Sequence, residues 1–227
     1  MSKHLERGLD ALRGELIGQF GVVEQMIQLA VRSLIERQPE LADRVIATDA
    51  QVDATDLKIE EECLKLLALH QPVATDMRWL ISVVKVNADL ERMADLACNI
   101  AERSKSLDLF PLFPIPDELQ EMVSTATKMV KMSLDAFVER DSAKAKAAIA
   151  EDEMVDRLNR IVIDQLHETM KDHPELIEPG VHCFSASRHL ERIADLAENV
   201  SEDVIYLVDG DIVRHKHDVF LDASKSK

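Results

Sequence analysis

Four pairs of carboxylates spaced i and i+4 carry the most chemistry in this chain: Asp49 with Asp53, Glu91 with Asp95, Asp152 with Asp156, and Glu191 with Asp195. On a helix, residues four apart share one face with Cβ atoms about 5 to 6 Å apart, and like charges there repel unless a cation sits between them. Donor sets made only of oxygen suit hard cations such as Mg²⁺, Ca²⁺ or Mn²⁺, or iron, better than zinc or copper. Acidic pairs alone are weak signals, because a chain with 43 Asp plus Glu also produces them on solvated faces. Repetition sets these four apart. The segments LERMADLACN (90–99) and LERIADLAEN (190–199) agree at eight of ten positions, 100 residues apart. A weaker echo pairs Asp49-x-x-Val52-Asp53 with Asp152-x-x-Val155-Asp156.

The elements that position these pairs follow from hydrophobic spacing. Apolar residues recur at 3 and 4, broken at Gln38-Pro39, Gln71-Pro72, Phe110 to Pro116, Arg140-Asp141 and His173 to Gly180. That predicts six helices, over residues 5–37, 40–70, 73–107, 117–139, 142–171 and 180–209. Rods this long joined by short turns form antiparallel bundles. Three prolines within residues 109–116 cannot continue a helix and divide the chain near its middle. The expectation is an all-α protein of two tandem antiparallel three-helix bundles related by an internal pseudo-twofold repeat. Residues 1–112 make the first bundle, 113–215 the second, and 216–227 a flexible tail.

If helices two and three form a hairpin turning at Pro72, residues equidistant from the turn come level. The midpoint of Asp49 and Asp53 then faces the midpoint of Glu91 and Asp95, making a quartet. The same construction in the second half centres on His173 and Pro174, with its register open by a turn of helix, about 5 Å. On the wheel of helix three, Leu90, Met93, Ala97 and Ile100 form the buried stripe, which places Glu91 and Asp95 at an open surface. Two carboxylate metal sites are therefore expected. The rival reading is a solvated acidic face neutralised by Arg92 and Arg192. Asn99 and Asn199 extend each polar stripe, either as further ligands or toward water.

Composition excludes other classes. With 27 Lys plus Arg the formal charge is −16, which repels phosphate backbones and anionic lipid, so nucleic acid is not an expected partner. Six Gly, seven Pro, one Trp and one Tyr suit helices rather than sheets. No secretory signal and no membrane-length apolar run occur, so a cytoplasmic protein is expected. Cys63, Cys98 and Cys183 are odd in number and far apart, and read as small core residues rather than a disulfide framework. Trp79 reads as core. His215 and His217 read as terminal rather than metal-binding; His182 and His189, two turns apart on helix six, could approach the second quartet, but lone helix histidines are usually surface or core residues. No phosphate loop, nucleophile elbow or Ser/His/Asp constellation appears.

The doubled Glu91-Arg-Met-Ala-Asp95 and Glu191-Arg-Ile-Ala-Asp195, the Gln71-Pro72-Val-Ala-Thr-Asp76-Met-Arg78 turn, the two Asp-x-x-Val-Asp segments and the closing Val208-Asp-Gly-Asp-Ile-Val-Arg-His215 together resemble the PhoU family of phosphate-signalling proteins. The resemblance covers nearly the whole chain. It implies a cytoplasmic, non-enzymatic negative regulator of the phosphate-starvation response and of phosphate uptake. It implies as partners a phosphate ABC transporter with its ATPase and the sensor histidine kinase of the phosphate regulon, with the membrane reached only through them, and a homodimer. It also implies metal ions, divalent or trivalent (Mg, Mn or Fe), on Asp49, Asp53, Glu91, Asp95, Asp152, Asp156, Glu191 and Asp195. The family commonly has Gly before the last Asp of the motif, where this chain has Ala94 and Ala194; a methyl there weakens any contact that needs close backbone approach. Two alternatives remain open at this point. A di-iron carboxylate enzyme is opposed by the absence of any Glu-x-x-His, Asp164-x-x-His167 being the nearest approach. A metal-free helical adaptor is the other.

Overall fold

The computed structural model describes residues 3–111, 113–211 and 213. Among them every regular element is a helix: α1 (Lys3–Glu36), α2 (Pro39–His70), α3 (Ala74–Asp108), α4 (Asp117–Glu139), α5 (Ser142–Ile149), α6 (Asp152–Asp172) and α7 (Ile177–Asp209), with one 3₁₀ turn at Pro174–Leu176. Helices α1, α2 and α3 pack on one another, and α4, α5 and α6 pack on α7 in the same way. The order of the first bundle thus recurs in the second, with α5 and α6 together taking the place of α2.

The chain breaks where its local chemistry requires. Pro39 opens α2, where a missing N–H costs nothing. Gln71 takes a left-handed conformation (φ 44°) and returns its N–H to Leu67 O at 3.1 Å, closing α2 ahead of Pro72. Asp141 caps α5 by accepting from the N–H groups of Ala143 and Lys144 at 2.9 and 3.0 Å. Gly210, at φ 82°, ends α7 with its N–H on Tyr206 O at 3.1 Å.

Two boundaries differ from the sequence reading. The helix expected over 142–171 is two helices, interrupted at Ala150–Glu151. Glu151, Asp152 and Glu153 form an acidic run, which favours a fresh helix N-terminus over a helix interior, and Lys128 holds the Glu151 carboxylate at 2.7 Å. The final helix starts at Ile177 rather than at residue 180, because Pro179 sits in its first turn, where proline is tolerated. Gly180 lets α7 approach α6: a Cβ there would stand 2.7 Å from Met170 Cγ.

The two bundles are fused rather than strung on a linker. One continuous apolar cluster takes in Val23, Ile27, Leu90 and Met93 from the first and Met122, Met129, Ile193 and Val204 from the second. The most extensive helix pairing joins the halves, α3 against α7, and the Phe20 and Phe137 rings meet edge to face at 5.8 Å. Lys85 on α3 pairs with Asp203 on α7 at 2.9 Å; that carboxylate side chain is 2% exposed, and the Lys85 ammonium also lies 5.5 Å from the Tyr206 ring. The proline-rich connection is anchored as well. Phe113 is buried, and the Arg37 guanidinium donates to the carbonyls of Leu107, Phe110 and Phe113. Trp79 is buried as expected, with Arg13 stacked over its ring. The expected tail (216–227), with His217, lies outside the described residues, as does His215.

Candidate functional site

The α2–α3 hairpin keeps the register centred on Pro72. Asn87 Nδ2 donates to Asp56 Oδ1 at 2.6 Å and to the Asp56 carbonyl at 3.0 Å, and Cys98 Sγ donates to Asp49 Oδ1 at 3.4 Å. Both contacts join residues nearly equidistant from the turn. The carboxylates in between therefore come level. Burial and the charges of Asp49 and Asp53 push the Asp95 carboxyl above its ordinary value. Burial, Asp95, Asp56 and Asp53 do the same for Glu91, with Arg92 opposing.

The second half assembles in the same way across α6 and α7. Asp195 is pushed up to about 6 by burial and then by Glu191, Asp152 and Asp156, with Arg188 opposing. The register left open by the longer loop is thus the one that brings all four together. The eight acidic residues singled out from sequence form two quartets, each spanning a helix pair.

These sites are less open than the helical wheel suggested. Asp53, Asp95 and Asp195 face solvent, but Asp49, Glu91, Asp152 and Asp156 are half-buried, and the Glu191 side chain is only 13% exposed. The neighbouring helix covers one side of each stripe, which a wheel drawn for a single helix does not show. Glu191 accepts from Arg188 Nη1 at 2.8 Å through Oε1, while its Oε2 is buried with no hydrogen-bond partner among the described residues. Among the described residues, no three carboxylate, imidazole or thiol groups already stand at ligand distance from a common point.

Several neighbours differ from expectation. Arg92 and Arg192 pair with no carboxylate in the described structure. They turn instead, with Asn99 and Asn199, into a cleft between α3 and α7. Arg188 and Arg160 are the cations that meet the second quartet, at Glu191 and Asp156. His189 hydrogen-bonds Ser185, and burial and the charges of Arg192 and Arg103 lower its proton affinity, so it faces α3 rather than the quartet. Cys63 and Cys183 are core residues, but Cys98 is only half-buried and points at Asp49. Ala94 and Ala194 are buried at 1% and 0% exposure, so their methyls fill the bundle interior and do not stand over the carboxylates.

Sequence reasoning missed Asp56, which accepts from Asn87 and whose charge reaches Glu91 of the first quartet. Its counterpart in the repeat is Asn159, buried with Oδ1 unpartnered among the described residues. Spacing held the signal, since Asp49, Asp53 and Asp56 follow the i, i+4, i+7 of one helix stripe.

The PhoU domain model matches the chain twice, over residues 18–104 and 119–204, and each match contains one quartet. The chain belongs to the PhoU family. A Phosphate-specific transport system accessory protein PhoU homolog of Pseudomonas aeruginosa is 36% identical over 216 residues, covering 95% of this chain and 89% of that protein. The crystal structure of PhoU from Pseudomonas aeruginosa superposes with a TM-score of 0.87 at 35% identity, covering 91% of this chain and 99% of that one. The crystal structure of the phosphate transport system regulatory protein PhoU from Streptococcus pneumoniae gives a TM-score of 0.85 at 29% identity, covering 92% and 99%. These family members are named as accessory and regulatory proteins, not as enzymes. No helix among the described residues is long and apolar enough to cross a membrane.

Proposed function

We propose that this chain is a cytoplasmic negative regulator of the phosphate-starvation response and of phosphate uptake. In this reading it acts as a homodimer that bridges the ATPase of a phosphate ABC transporter and a sensor histidine kinase. A role in phosphate transport regulation is supported by the full-length similarity to accessory proteins of the phosphate-specific transport system. The bridging role is supported by one structural observation above the others: two acidic sites related by the internal repeat are carried on a single continuous core. Such a body presents two related faces held in a fixed relation, which suits simultaneous engagement of two partners.

Cations on the quartets belong to the same reading. Asp49, Asp53, Glu91 and Asp95 would hold one site, and Asp152, Asp156, Glu191 and Asp195 the other. The donors are hard oxygens, suited to Mg²⁺, Mn²⁺ or iron. The raised carboxyls and the orphaned Glu191 Oε2 leave negative charge that a cation would neutralise. Side-chain rotation would complete the coordination, as the described side chains do not yet converge. That lack of convergence favours a second reading, a metal-free helical adaptor, which metal analysis of the purified protein separates from the first.

The regulatory reading is tested by deleting the gene in its host and following a starvation-gene reporter in phosphate-rich medium. Constitutive expression, restored to repression by the full chain, is expected. Normal repression in the deletion strain would refute it.

A further inference from the structure

The stripe that carries each quartet runs on along its helices toward the hairpin turn. On α3, Met77, Ile81, Val84 and Ala88 follow the 4, 3, 4 spacing that leads on to Glu91 and Asp95, so all of them share one helix face. On α2, Leu57, Leu64 and Ala68 share a stripe with Asp53 in the same way. The hairpin register, seen in Asn87 on Asp56 and Cys98 on Asp49, brings Leu64 close to level with Ile81 and Leu57 with Ala88. The two stripes thus wall a valley between α2 and α3 that continues beyond the first quartet for about 17 Å, three turns of helix.

The valley is apolar and open to solvent. Leu57 is 61% exposed, Leu64 57%, Ile81 40% and Met77 37%. Single exposed apolar residues are ordinary on any surface, whereas a contiguous strip of them marks a surface that another molecule covers. The internal repeat supplies a comparison at like positions. On α7, Ile177, Val181 and Phe184 take the places of Met77, Ile81 and Val84 and are exposed as well. Asp49 and Asp152 are 103 residues apart, and at that offset Arg160, His167 and Lys171 on α6 stand where α2 has Leu57, Leu64 and Ala68. Arg188 on α7 likewise replaces Ala88. An apolar strip occurs in both halves, but only the first is free of basic groups.

Charge narrows the occupant. Glu60 stands in the α2 stripe between Leu57 and Leu64, with Glu61 beside it, and both are exposed. The four Lys and Arg residues between positions 54 and 90 are engaged: Lys58 with Glu15 on α1, Lys65 with Glu61 and Glu62, Arg78 over the Tyr206 ring and Lys85 on Asp203. Three glutamates at 60–62 against one lysine leave the α2 wall with an excess of negative charge, on a chain of formal charge −16. This excess lies outside the quartets and does not depend on whether they hold cations. It repels an acidic segment or a second copy of this chain and attracts a basic one. A valley between two helices offers no free backbone N–H or C=O to an extended peptide, so the segment must satisfy its own backbone groups, as a helix does.

We propose that the α2–α3 valley of the first repeat docks a basic amphipathic helix of a partner protein. Apolar side chains at i, i+4 and i+7 of that helix rest on Leu57, Leu64, Met77 and Ile81, and its Lys or Arg side chains reach Glu60 and Glu61. The second valley, with Arg160, Lys171 and Arg188, opposes the same helix, so the two repeats select different partners. The proposal deepens the bridging reading under Proposed function and rests on it for the role of the partner.

The test is fluorescence anisotropy of a labelled Leu/Lys/Ala peptide of about four helical turns, with leucines at i, i+4, i+7 and i+11, added to the full chain in EDTA and in excess Mg²⁺. Saturable binding in both media is expected. It should be at least tenfold weaker in Leu57→Gln/Leu64→Gln, within twofold of the parent in Val181→Gln/Phe184→Gln, and at least tenfold weaker for a scrambled peptide of the same composition or one with Glu in place of Lys. Equal affinity in Leu57→Gln/Leu64→Gln, an equal loss in Val181→Gln/Phe184→Gln, or equal binding of the scrambled peptide would overturn the proposal. So would sedimentation showing a dimeric parent that Leu57→Gln/Leu64→Gln makes monomeric, since the valley would then belong to a second copy. The starvation-gene reporter reads the regulatory role separately: repression by the parent chain without peptide binding would overturn the valley and leave that role standing.

Discussion

Replacing Asp195 by Asn separates electrostatic cost from structural support in the second quartet. The Asp195 carboxyl is held near 6, against an ordinary 3.8, by burial and by Glu191, Asp152 and Asp156. Its folded-state value is raised, so between about pH 4 and pH 6 the folded chain holds a proton that the unfolded chain has lost. Stability therefore falls as pH rises through that window and stays lower above it. The full displacement corresponds to about 3 kcal/mol at most, and solvent on the open side of the residue brings the expected effect to about 1 kcal/mol. In EDTA and low salt at pH 7, Asp195→Asn should raise Tm by about 2 to 4 °C for a chain of this size. At pH 4.5, where Asp195 is itself mostly protonated, the gain should shrink to about a third of its pH 7 size. Saturating Mg²⁺ should reverse the order, stabilising the parent chain more than the variant. Thermal melts followed by circular dichroism at both pH values, with and without Mg²⁺, read all of these effects. A variant destabilised equally at pH 4.5 and pH 7 would refute the reasoning, because it would make Asp195 a structural support rather than a strained charge.

Further outcomes follow from the packing. Arg37→Ala strips donors from three carbonyls of the proline-rich connection and should cost about 2 kcal/mol in urea unfolding. Lys85→Met leaves the Asp203 carboxylate without its ammonium between α3 and α7 and should cost about 3 kcal/mol, largely recovered in Lys85→Met/Asp203→Leu; unaltered stability in the single variant would show that the pair contributes nothing. All three thiols are pushed up to about 12, chiefly by burial, so a thiol-specific disulfide reagent at pH 8 should label the native chain only slowly and the urea-unfolded chain at once.

The quartets were legible because helix periodicity and hairpin symmetry act at long range. Prolines at 39 and 72 mark the ends of α2, and with two long rods joined by a short turn the register needs no further information. The second register was open only because the loop at 173–176 is longer; in the fold Asp152 and Asp156 come close enough to Asp195 to raise its affinity for protons. What was hidden depends on neighbours in space. The wheel of α3 gave the outward direction of Glu91 and Asp95, but not the cover that α2 supplies from one side. The break at Ala150–Glu151 lies within an apolar pattern that continues unbroken, and only the acidic run betrays it. Fusion of the bundles, the rotation of Arg92 and Arg192 into the α3–α7 cleft, and the approach of Cys98 to Asp49 are tertiary facts with no periodic signature. The alanines at 94 and 194 show the same limit: sequence gives the missing glycine, and only packing shows that the methyl faces the core.

Metal stoichiometry tests most directly whether the repeated carboxylates are two equivalent cation sites on one body. The chain, Glu91→Ala/Asp95→Ala, Glu191→Ala/Asp195→Ala and the combined variant are dialysed against Mn²⁺ and analysed for bound metal, with helix content checked by circular dichroism. Each two-residue variant should lose half of the bound metal while staying helical, and the combined variant should lose all of it. Bound metal unchanged in every variant, or no metal in the parent chain, would contradict the assignment and leave the metal-free adaptor standing.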